Sequence, residues 1–235
     1  IEIFKTKIKS QYGSVYSDSK IQKLAQENAR YLVTVFMPTQ MIYSTTLRQI
    51  NYIVSWMLEY IDNENKNDNF KVKLSTSMKE LIKCFESLNV LEDGLLKNEK
   101  HRSLSLFGKN LDKKEEYFGD VYSCIYKGSF AQLAQAHRHR TISYQMEQLN
   151  EREYFIPPII TDDQMLVDEW LGDMQTVEKV NPQGELVKIS ESGKYEDFIL
   201  KCKERLCTEA QLEIMLQTKE TLLKYKKALE ESNSY

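Results

Sequence analysis

The 235-residue sequence lacks the features that would direct it to a membrane or to nucleic acid. No run approaches eighteen uninterrupted apolar residues, and no cationic start leads into an apolar core, so neither a membrane span nor a signal peptide is predicted. The formal net charge is only −3, which gives no general attraction to nucleic acid or to anionic lipid. The four cysteines form no Cys-x-x-Cys pair, and free thiols in a reducing compartment are expected. We therefore expect a cytoplasmic protein without a membrane or nucleic-acid partner.

The composition is otherwise ordinary, and few residues suit a metal site. The chain is 41% hydrophobic and 29% charged, and its length allows one large or two small hydrophobic cores. Among its three histidines, His137 and His139 are two positions apart. On a helix, side chains at that spacing point about 200° apart. This spacing argues against both histidines binding the same metal ion, and no metal site is expected.

Residues 138–143 form the most informative stretch, Arg138-His139-Arg140-x-x-Ser143, with Gln135 three positions before it. Two guanidinium groups flank an imidazole, a combination suited to holding phosphate while donating hydrogen bonds to a flat heterocycle. The segment therefore predicts a nucleotide or flavin site. The alternative is an exposed basic patch without a ligand.

Two further segments follow this motif. Residues 154–158 read Tyr-Phe-Ile-Pro-Pro, and residues 198–214 contain Phe198, Arg205 and Ala-Gln-Leu-Glu-Ile at 210–214. Together with Arg-His-Arg-x-x-Ser, they resemble conserved segments of the flavin-dependent thymidylate synthases, in the same order. The resemblance implies an α+β fold like that of the thymidylate synthase-complementing proteins, in which long helices pack a twisted, mainly antiparallel sheet.

The resemblance also implies a reaction and its site residues. The reaction would be reductive methylation of dUMP to dTMP, with FAD as hydride carrier, NADPH as reductant and methylenetetrahydrofolate as carbon donor. Arginines would hold the phosphate and stabilise negative charge on the pyrimidine oxygens, without a covalent nucleophile. The implied catalytic residues are Arg138 and Arg205. The implied dUMP-binding residues are Arg30, Gln135, Arg138 and Arg205. The implied FAD-binding residues are Arg48, Arg138, His139, Arg140 and Ser143.

The N-terminal part resembles a segment that follows the Arg-His-Arg motif in the family. It contains Glu27-Asn-Ala-Arg30 and a run from Pro38 through Arg48, similar to the family's Glu-Asp-Ala-Arg block and the strand, turn and helix after it. We therefore predict two tandem copies, with residues 1–75 as the C-terminal half of a first copy and 76–235 as a second. Since the sequence starts at Ile1 without methionine, the other half of the first copy is expected to lie outside it. Residues 17–60 and 172–214 are then expected to superpose.

The second copy departs from the family pattern. The family continues its signature into Glu-x-Ser-x-Arg, where this sequence has Met146, Gln148 and Asn150. Glu178 lies where the second copy would carry a phosphate-binding arginine. The leading prediction is a flavin-dependent thymidylate synthase, a homo-oligomer of duplicated chains whose sites form between subunits as in a pseudo-tetramer. The alternatives are a degenerate nucleotide-binding or structural subunit without catalysis, and a relative that transfers hydroxymethyl to a pyrimidine nucleotide.

Hydrophobic periodicity and turn residues predict the individual elements. Strands are expected at 40–45, 119–127 and 185–190. Helices are expected from Ser17-Asp18 onward, at 47–61, from Thr76 or Ser77 to Leu88, at 130–137, at 162–176, and from Tyr195 to about Glu230. The polar segment 62–69 is expected to be a loop, and residues 89–118 a solvated surface insertion.

Overall fold

A computed structural model describes residues 1–63, 68–96 and 106–232. These residues form both helices and strands, so the α+β prediction is confirmed. The α-helices are α1 (Glu2–Tyr12), α2 (Asp18–Ala29), α3 (Leu47–Asp62), α4 (Asn69–Ser87), α5 (Asp93–Leu96), α6 (Phe130–Ala136), α7 (Gln164–Val177), α8 (Tyr195–Arg205) and α9 (Leu212–Glu231). The strands are β1 (Tyr117–Phe118), β2 (Val121–Ser129), β3 (Ser143–Gln148) and β4 (Leu186–Lys194). The chain divides into two compact units, one made of Ile1–Met37 and Ser105–Tyr235, the other of Pro38–Leu104.

The four strands form an antiparallel sheet in the order β1-β2-β4-β3. The central pair is long: β2 and β4 pair from Val121 opposite Lys194 to Ser129 opposite Leu186. Strand β3 adds to the other edge of β4, with Tyr144 opposite Glu191. Because β4 lies between β2 and β3, its side chains contact residues from both neighbours.

Among the described residues, two apolar clusters lie in the core of the larger unit. One joins α1, α2 and α7, where Phe4 lies edge-on to Trp170 with 5.4 Å between ring centroids. The other covers one face of the sheet, where Phe198 of α8 and Tyr225 of α9 pack on Tyr122 of β2. The second cluster places α8 and α9 over the sheet, next to the segment that carries the Arg-His-Arg motif.

The segments after α2 and α7 pair with each other. Each helix continues into a short 3₁₀ turn, Arg30–Leu32 after α2 and Glu178–Val180 after α7. Thr34 then forms an antiparallel bridge with Pro182. Each of the two regions that resemble the same family segment therefore contains a helix followed by a 3₁₀ turn, and a β-bridge joins them.

Several element predictions are confirmed. Helix α2 is capped by Ser17, whose side chain accepts a hydrogen bond from the Lys20 backbone N–H, and Thr46 caps α3 in the same way. The helices predicted at 130–137 and 162–176 correspond to α6 and α7. The strands predicted at 119–127 and 185–190 correspond to β2 and β4.

The strand predicted at 40–45 is wrong. These residues have no regular structure, and Ile42 is 98% exposed. A strand is stabilised by hydrogen bonds to a neighbouring strand, and none of the described residues pairs with this segment. The structural similarity between 17–60 and 172–214 therefore stops before β4, because the first region has no strand to match it. The tandem-copy origin of the chain stays a prediction.

The start of one helix also differs from prediction. Helix α4 begins at Asn69, because the Asp68 carboxylate accepts hydrogen bonds from the Phe70 and Lys71 backbone N–H groups. The predicted caps Thr76 and Ser77 lie inside this helix and donate their hydroxyls to carbonyls four residues earlier. The predicted copy boundary at residue 75 therefore falls within α4. Residues 64–67 of the predicted loop lie outside the described residues.

The predicted helix from 195 to 230 is interrupted. It forms α8 and α9, separated by residues 206–211. Strand β3 was not predicted: the helix prediction ended at His137, and no element was assigned to residues 143–148. The predicted insertion 89–118 is only partly solvated: Leu111 is fully buried, while residues 97–105 lie outside the described part. None of the described helices is both long enough and apolar enough to cross a bilayer.

Candidate nucleotide site

Helix α6 leads directly into the Arg-His-Arg motif. The helix begins after Ser129, whose side chain accepts a hydrogen bond from the Gln132 backbone N–H at 3.0 Å, and it ends at Ala136. The motif then forms the connection to β3, with the Ile142 backbone N–H donating to the His139 carbonyl at 3.1 Å. The motif is therefore a turn between a helix and a strand.

The structure brings Arg205 to His139. The Arg205 Nε–H donates to His139 Nε2 at 2.8 Å, and Arg205 Nη2 donates to the Gln135 carbonyl at 3.4 Å. His139 and Arg205 are separated by 66 residues in the sequence. The first and last motif blocks thus meet through a direct hydrogen bond.

The environment of His139 keeps its imidazole neutral. The ring is only 7% exposed. Burial lowers the pKa of His139, and the positive charge of Arg205 lowers it further. Because Nε2 accepts from Arg205, the ring proton belongs on Nδ1, which lies 3.8 Å from a carboxylate oxygen of Glu204. His139 therefore acts as a hydrogen-bonding anchor for Arg205 near neutral pH.

The two arginines beside His139 face solvent. Arg138 and Arg140 are exposed, and within the described residues neither guanidinium group has a hydrogen bond or an ion pair. Ser143, the first residue of β3, is also exposed. Their donors are available to an anion, and the donor set fits a phosphate group.

Arg30 lies in the same unit, beside a tyrosine that sequence reasoning missed. Arg30 is exposed at the start of its 3₁₀ turn, and Tyr31 is buried. The Tyr31 hydroxyl donates to Glu213 at 2.9 Å and accepts from Gln211 Nε2 at 2.7 Å. Tyr31 directly follows Arg30 in the Glu-Asn-Ala-Arg block, and this adjacency was the available signal.

Glu213 joins these segments at the start of α6. Its carboxylate accepts hydrogen bonds from the Ser129 backbone N–H at 2.8 Å and the Ser129 hydroxyl at 2.6 Å, as well as from Tyr31. Burial raises the pKa of Glu213, and these hydrogen bonds oppose the rise. Within the Ala-Gln-Leu-Glu-Ile block, Gln211 and Glu213 thus hold the N-terminal segment and α6 together.

Arg48 belongs to the other unit. It is the second residue of α3 and is exposed. Its predicted contact with FAD stays a prediction.

The positions that depart from the family pattern lie along and just after β3. Met146 is buried opposite Ile189 of β4, Gln148 lies opposite Val187, and Asn150 is exposed. Glu147, between the first two, accepts hydrogen bonds from the Asn110 and Leu111 backbone N–H groups. None of these three positions therefore supplies an arginine.

A buried ionic cluster lies among α8, α9 and the sheet, and sequence reasoning did not identify it. Lys201 and Glu191 are both fully buried, with 2.6 Å between Lys201 Nζ and a Glu191 carboxylate oxygen. Tyr122 and Tyr126 donate to the same carboxylate at 2.7 Å and 2.9 Å. Lys201 stood in a helix rich in lysine and glutamate, so no sequence pattern marked it as buried.

Among the described residues, no group of histidine, cysteine and acidic side chains is arranged to hold a metal ion. Comparison of the chain with protein-family models and with the curated proteins finds no match.

Proposed function

We propose that this protein binds dUMP at the Arg-His-Arg segment and is a flavin-dependent thymidylate synthase. The observation that supports this most is the hydrogen bond between Arg205 and His139. It joins the two sequence blocks that resemble the family's nucleotide-binding segments. A solvated basic patch does not require a buried neutral histidine that is hydrogen-bonded to a third arginine.

The residues can be assigned roles from their contacts. Arg138 is the free guanidinium that binds the phosphate, and Gln135 lies on the same turn of chain. Arg205, oriented by His139, donates to the pyrimidine, where its charge stabilises negative charge on a carbonyl oxygen of the base during reaction. Arg30 is a second phosphate ligand. All these groups hold or polarise the substrate, and none is a nucleophile.

FAD would be held by Arg140 and Ser143, with His139 and Arg138 beside them; the resemblance also assigns Arg48 to FAD. When bound, the flavin supplies the hydride, NADPH reduces it, and methylenetetrahydrofolate provides the carbon. Arg138, Arg140 and Ser143 are exposed, and their donors have no partner among the described residues, which suits both a nucleotide phosphate and the phosphates of the cofactor. A homo-oligomer would complete the site.

A second candidate function is nucleotide binding without catalysis. It is favoured by Met146, which is buried in β3 at the position where the family has a glutamate. This candidate retains the phosphate-binding arginines and lacks the later serine and arginine. It predicts dUMP affinity without turnover.

The test is calorimetric titration of dUMP into the wild type and single variants. Arg138→Ala should weaken binding by roughly ten- to a hundredfold, because a charged hydrogen bond to phosphate contributes about 1.5–3 kcal/mol. Lys227→Ala is the control: its side chain is 76% exposed on α9, and we expect a change below about twofold. Circular dichroism checks that each variant is folded.

Arg30→Ala tests whether the N-terminal segment contributes to the same site. We expect nearly the same loss as for Arg138→Ala. If Arg138→Ala loses dUMP and Arg30→Ala binds normally, the site is not shared between the two segments. If the wild type binds no dUMP, the proposed function is wrong.

A further inference from the structure

The connection between β4 and α8 leaves the direction of α8 to be set by side chains. Strand β4 ends at Lys194 and α8 begins at Tyr195, so no loop separates them. Residue 194 caps the helix without a side-chain hydrogen bond. The helix is held to the sheet by Phe198, which packs on Tyr122, and by the ion pair of Lys201 with Glu191.

Of these two contacts, the ion pair is the one whose geometry constrains the position of α8 on the sheet. Glu191 lies on the helix-covered face of β4, opposite Cys124 of β2 and Tyr144 of β3. Its carboxylate is fixed by two tyrosine hydroxyls, and Lys201 Nζ donates to it at 2.6 Å and to Gln217 Oε1 of α9 at 3.1 Å. Apolar contacts tolerate sliding by a fraction of a turn, whereas charged hydrogen bonds of this length do not.

Lys201 and Arg205 are four residues apart on one helix. Side chains at this spacing lie on the same face, one turn apart. Whatever fixes Lys201 against the sheet therefore also fixes where the Arg205 guanidinium reaches, at 2.8 Å from His139 Nε2. Lys201 also lies over the ring of Tyr144, and that ring contacts His137 beside the motif.

Stability alone is a weak reason for such a pair. Burying two charges costs desolvation, and replacing a buried ion pair by apolar residues of similar volume is often neutral or stabilising. The adjoining cluster of Tyr122, Phe198 and Tyr225 is already apolar and aromatic. The ion pair of Lys201 with Glu191 thus constrains the position of α8 and does not enlarge the apolar core.

We propose that Lys201 and Glu191 are positioning residues that set the register of α8, so that Arg205 meets His139 in the nucleotide site. The inference rests on the proposed function for its consequence in dUMP binding. Its structural part, the orientation of Arg205 toward His139, can be measured without any ligand.

The test variant is Lys201→Met combined with Glu191→Gln, which removes both charges together and leaves neither unpaired. The control is Tyr126→Phe, which removes one hydrogen bond to Glu191 and leaves the ion pair in place. Nitrogen-15 NMR of His139 at pH 7.5 reports the tautomer, since the ring nitrogen that accepts from Arg205 stays unprotonated. We expect the wild type and Tyr126→Phe to hold the proton on Nδ1, and the double variant to show a mixture.

Calorimetry with dUMP provides the second readout. The double variant should bind dUMP at least tenfold more weakly, and Tyr126→Phe within about twofold of the wild type. In an Arg205→Ala background the double variant should add less than about twofold, because residues that act through one group are not additive. An undiminished affinity, or an additive loss, overturns the proposal.

The NMR result separates this inference from the proposed function. If the wild type binds no dUMP but the double variant shows a mixture of His139 tautomers, the positioning role holds and the proposed function is wrong. If the double variant retains the wild-type tautomer, the positioning role is wrong. A double variant that does not fold, judged by circular dichroism, assigns the pair to overall stability and likewise overturns the proposal.

Discussion

At the residue scale, His139 differs in kind from the two arginines that flank it. Arg138 and Arg140 are exposed, and His139 is buried. Its neutral ring accepts a hydrogen bond from Arg205 through Nε2. A protonated imidazole cannot accept that hydrogen bond and would repel the guanidinium. The contact between the two motif blocks therefore depends on the protonation state of one side chain.

We predict that this contact makes stability depend on pH. The pKa of His139 is lowered in the folded protein, so near the ordinary histidine pKa of about 6.5 the unfolded chain binds more protons. The contribution of His139 is therefore present above about pH 6.5 and is lost as the pH falls through the folded pKa. Urea unfolding of the wild type from pH 7.5 to 5 should show falling stability.

His139→Gln isolates this contribution. Glutamine does not titrate, so the variant should show a smaller loss over the same pH range. His137, whose pKa is also lowered by burial, is present in both proteins and cancels in the comparison. Equal slopes for the two proteins would contradict the assignment of this pH dependence to His139.

At the element scale, the N-terminus of α6 is held by a local helix cap and also by contacts with distant segments. Ser129 caps the helix, and its hydroxyl also donates to Glu213 of α9. Glu213 in turn accepts from Tyr31. Three segments that are distant in sequence thus fix the start of the helix that leads to the Arg-His-Arg motif.

The same substitution at two caps tests this difference. Ser17 caps α2 with an exposed side chain, so Ser17→Ala should cost about 0.5–1 kcal/mol, as an ordinary cap does. Ser129 is fully buried, and Ser129→Ala also leaves Glu213 without one donor, so we expect about 2–3 kcal/mol. Urea unfolding at pH 7.5 measures both, and equal costs would mean that the contact with Glu213 contributes little.

At the scale of the whole molecule, the sequence blocks are not distributed evenly. The blocks around Arg30, Arg138 and Arg205 all belong to the unit of Ile1–Met37 and Ser105–Tyr235. Arg48 belongs to the unit of Pro38–Leu104. The 3₁₀ turns after α2 and α7 also differ. Arg30 is exposed, whereas the Glu178 carboxylate accepts a hydrogen bond from Tyr154 and the Glu178 carbonyl accepts one from Arg152. Arg30 is therefore open to an anion, whereas Glu178 is hydrogen-bonded within the chain.

We predict that the purified protein binds flavin, because Arg138, Arg140 and Ser143 present exposed donors on one segment. An absorbance scan between about 350 and 500 nm should show the flavin bands, either directly or after addition of FAD. Arg140→Ala should reduce the uptake of FAD, with Lys227→Ala as the exposed control. A colourless wild type that takes up no added FAD would leave the nucleotide-binding alternative as the better reading.

The sequence by itself determined what depends on neighbouring residues. Ser17 and the apolar spacing after it placed α2, and the alternation before Gly128 placed β2, because caps and periodicity act within one or two turns. The spacing of Arg138, His139 and Arg140 identified the candidate site for the same reason. The Glu27–Arg30 block, however, was not enough to show that Tyr31 would be the residue that joins it to Glu213.

Tertiary structure decided what depends on partners distant in the chain. Residues 40–45 have strand-like side chains but no neighbouring strand among the described residues, so they remain irregular, while β3 forms because β4 offers a free edge. The burial of Lys201 could not be predicted from a helix rich in charged residues, because burial is set by what the helix packs against. A hydrogen bond across 66 residues, such as that between Arg205 and His139, exists only once the sheet and α8 have brought its two ends together.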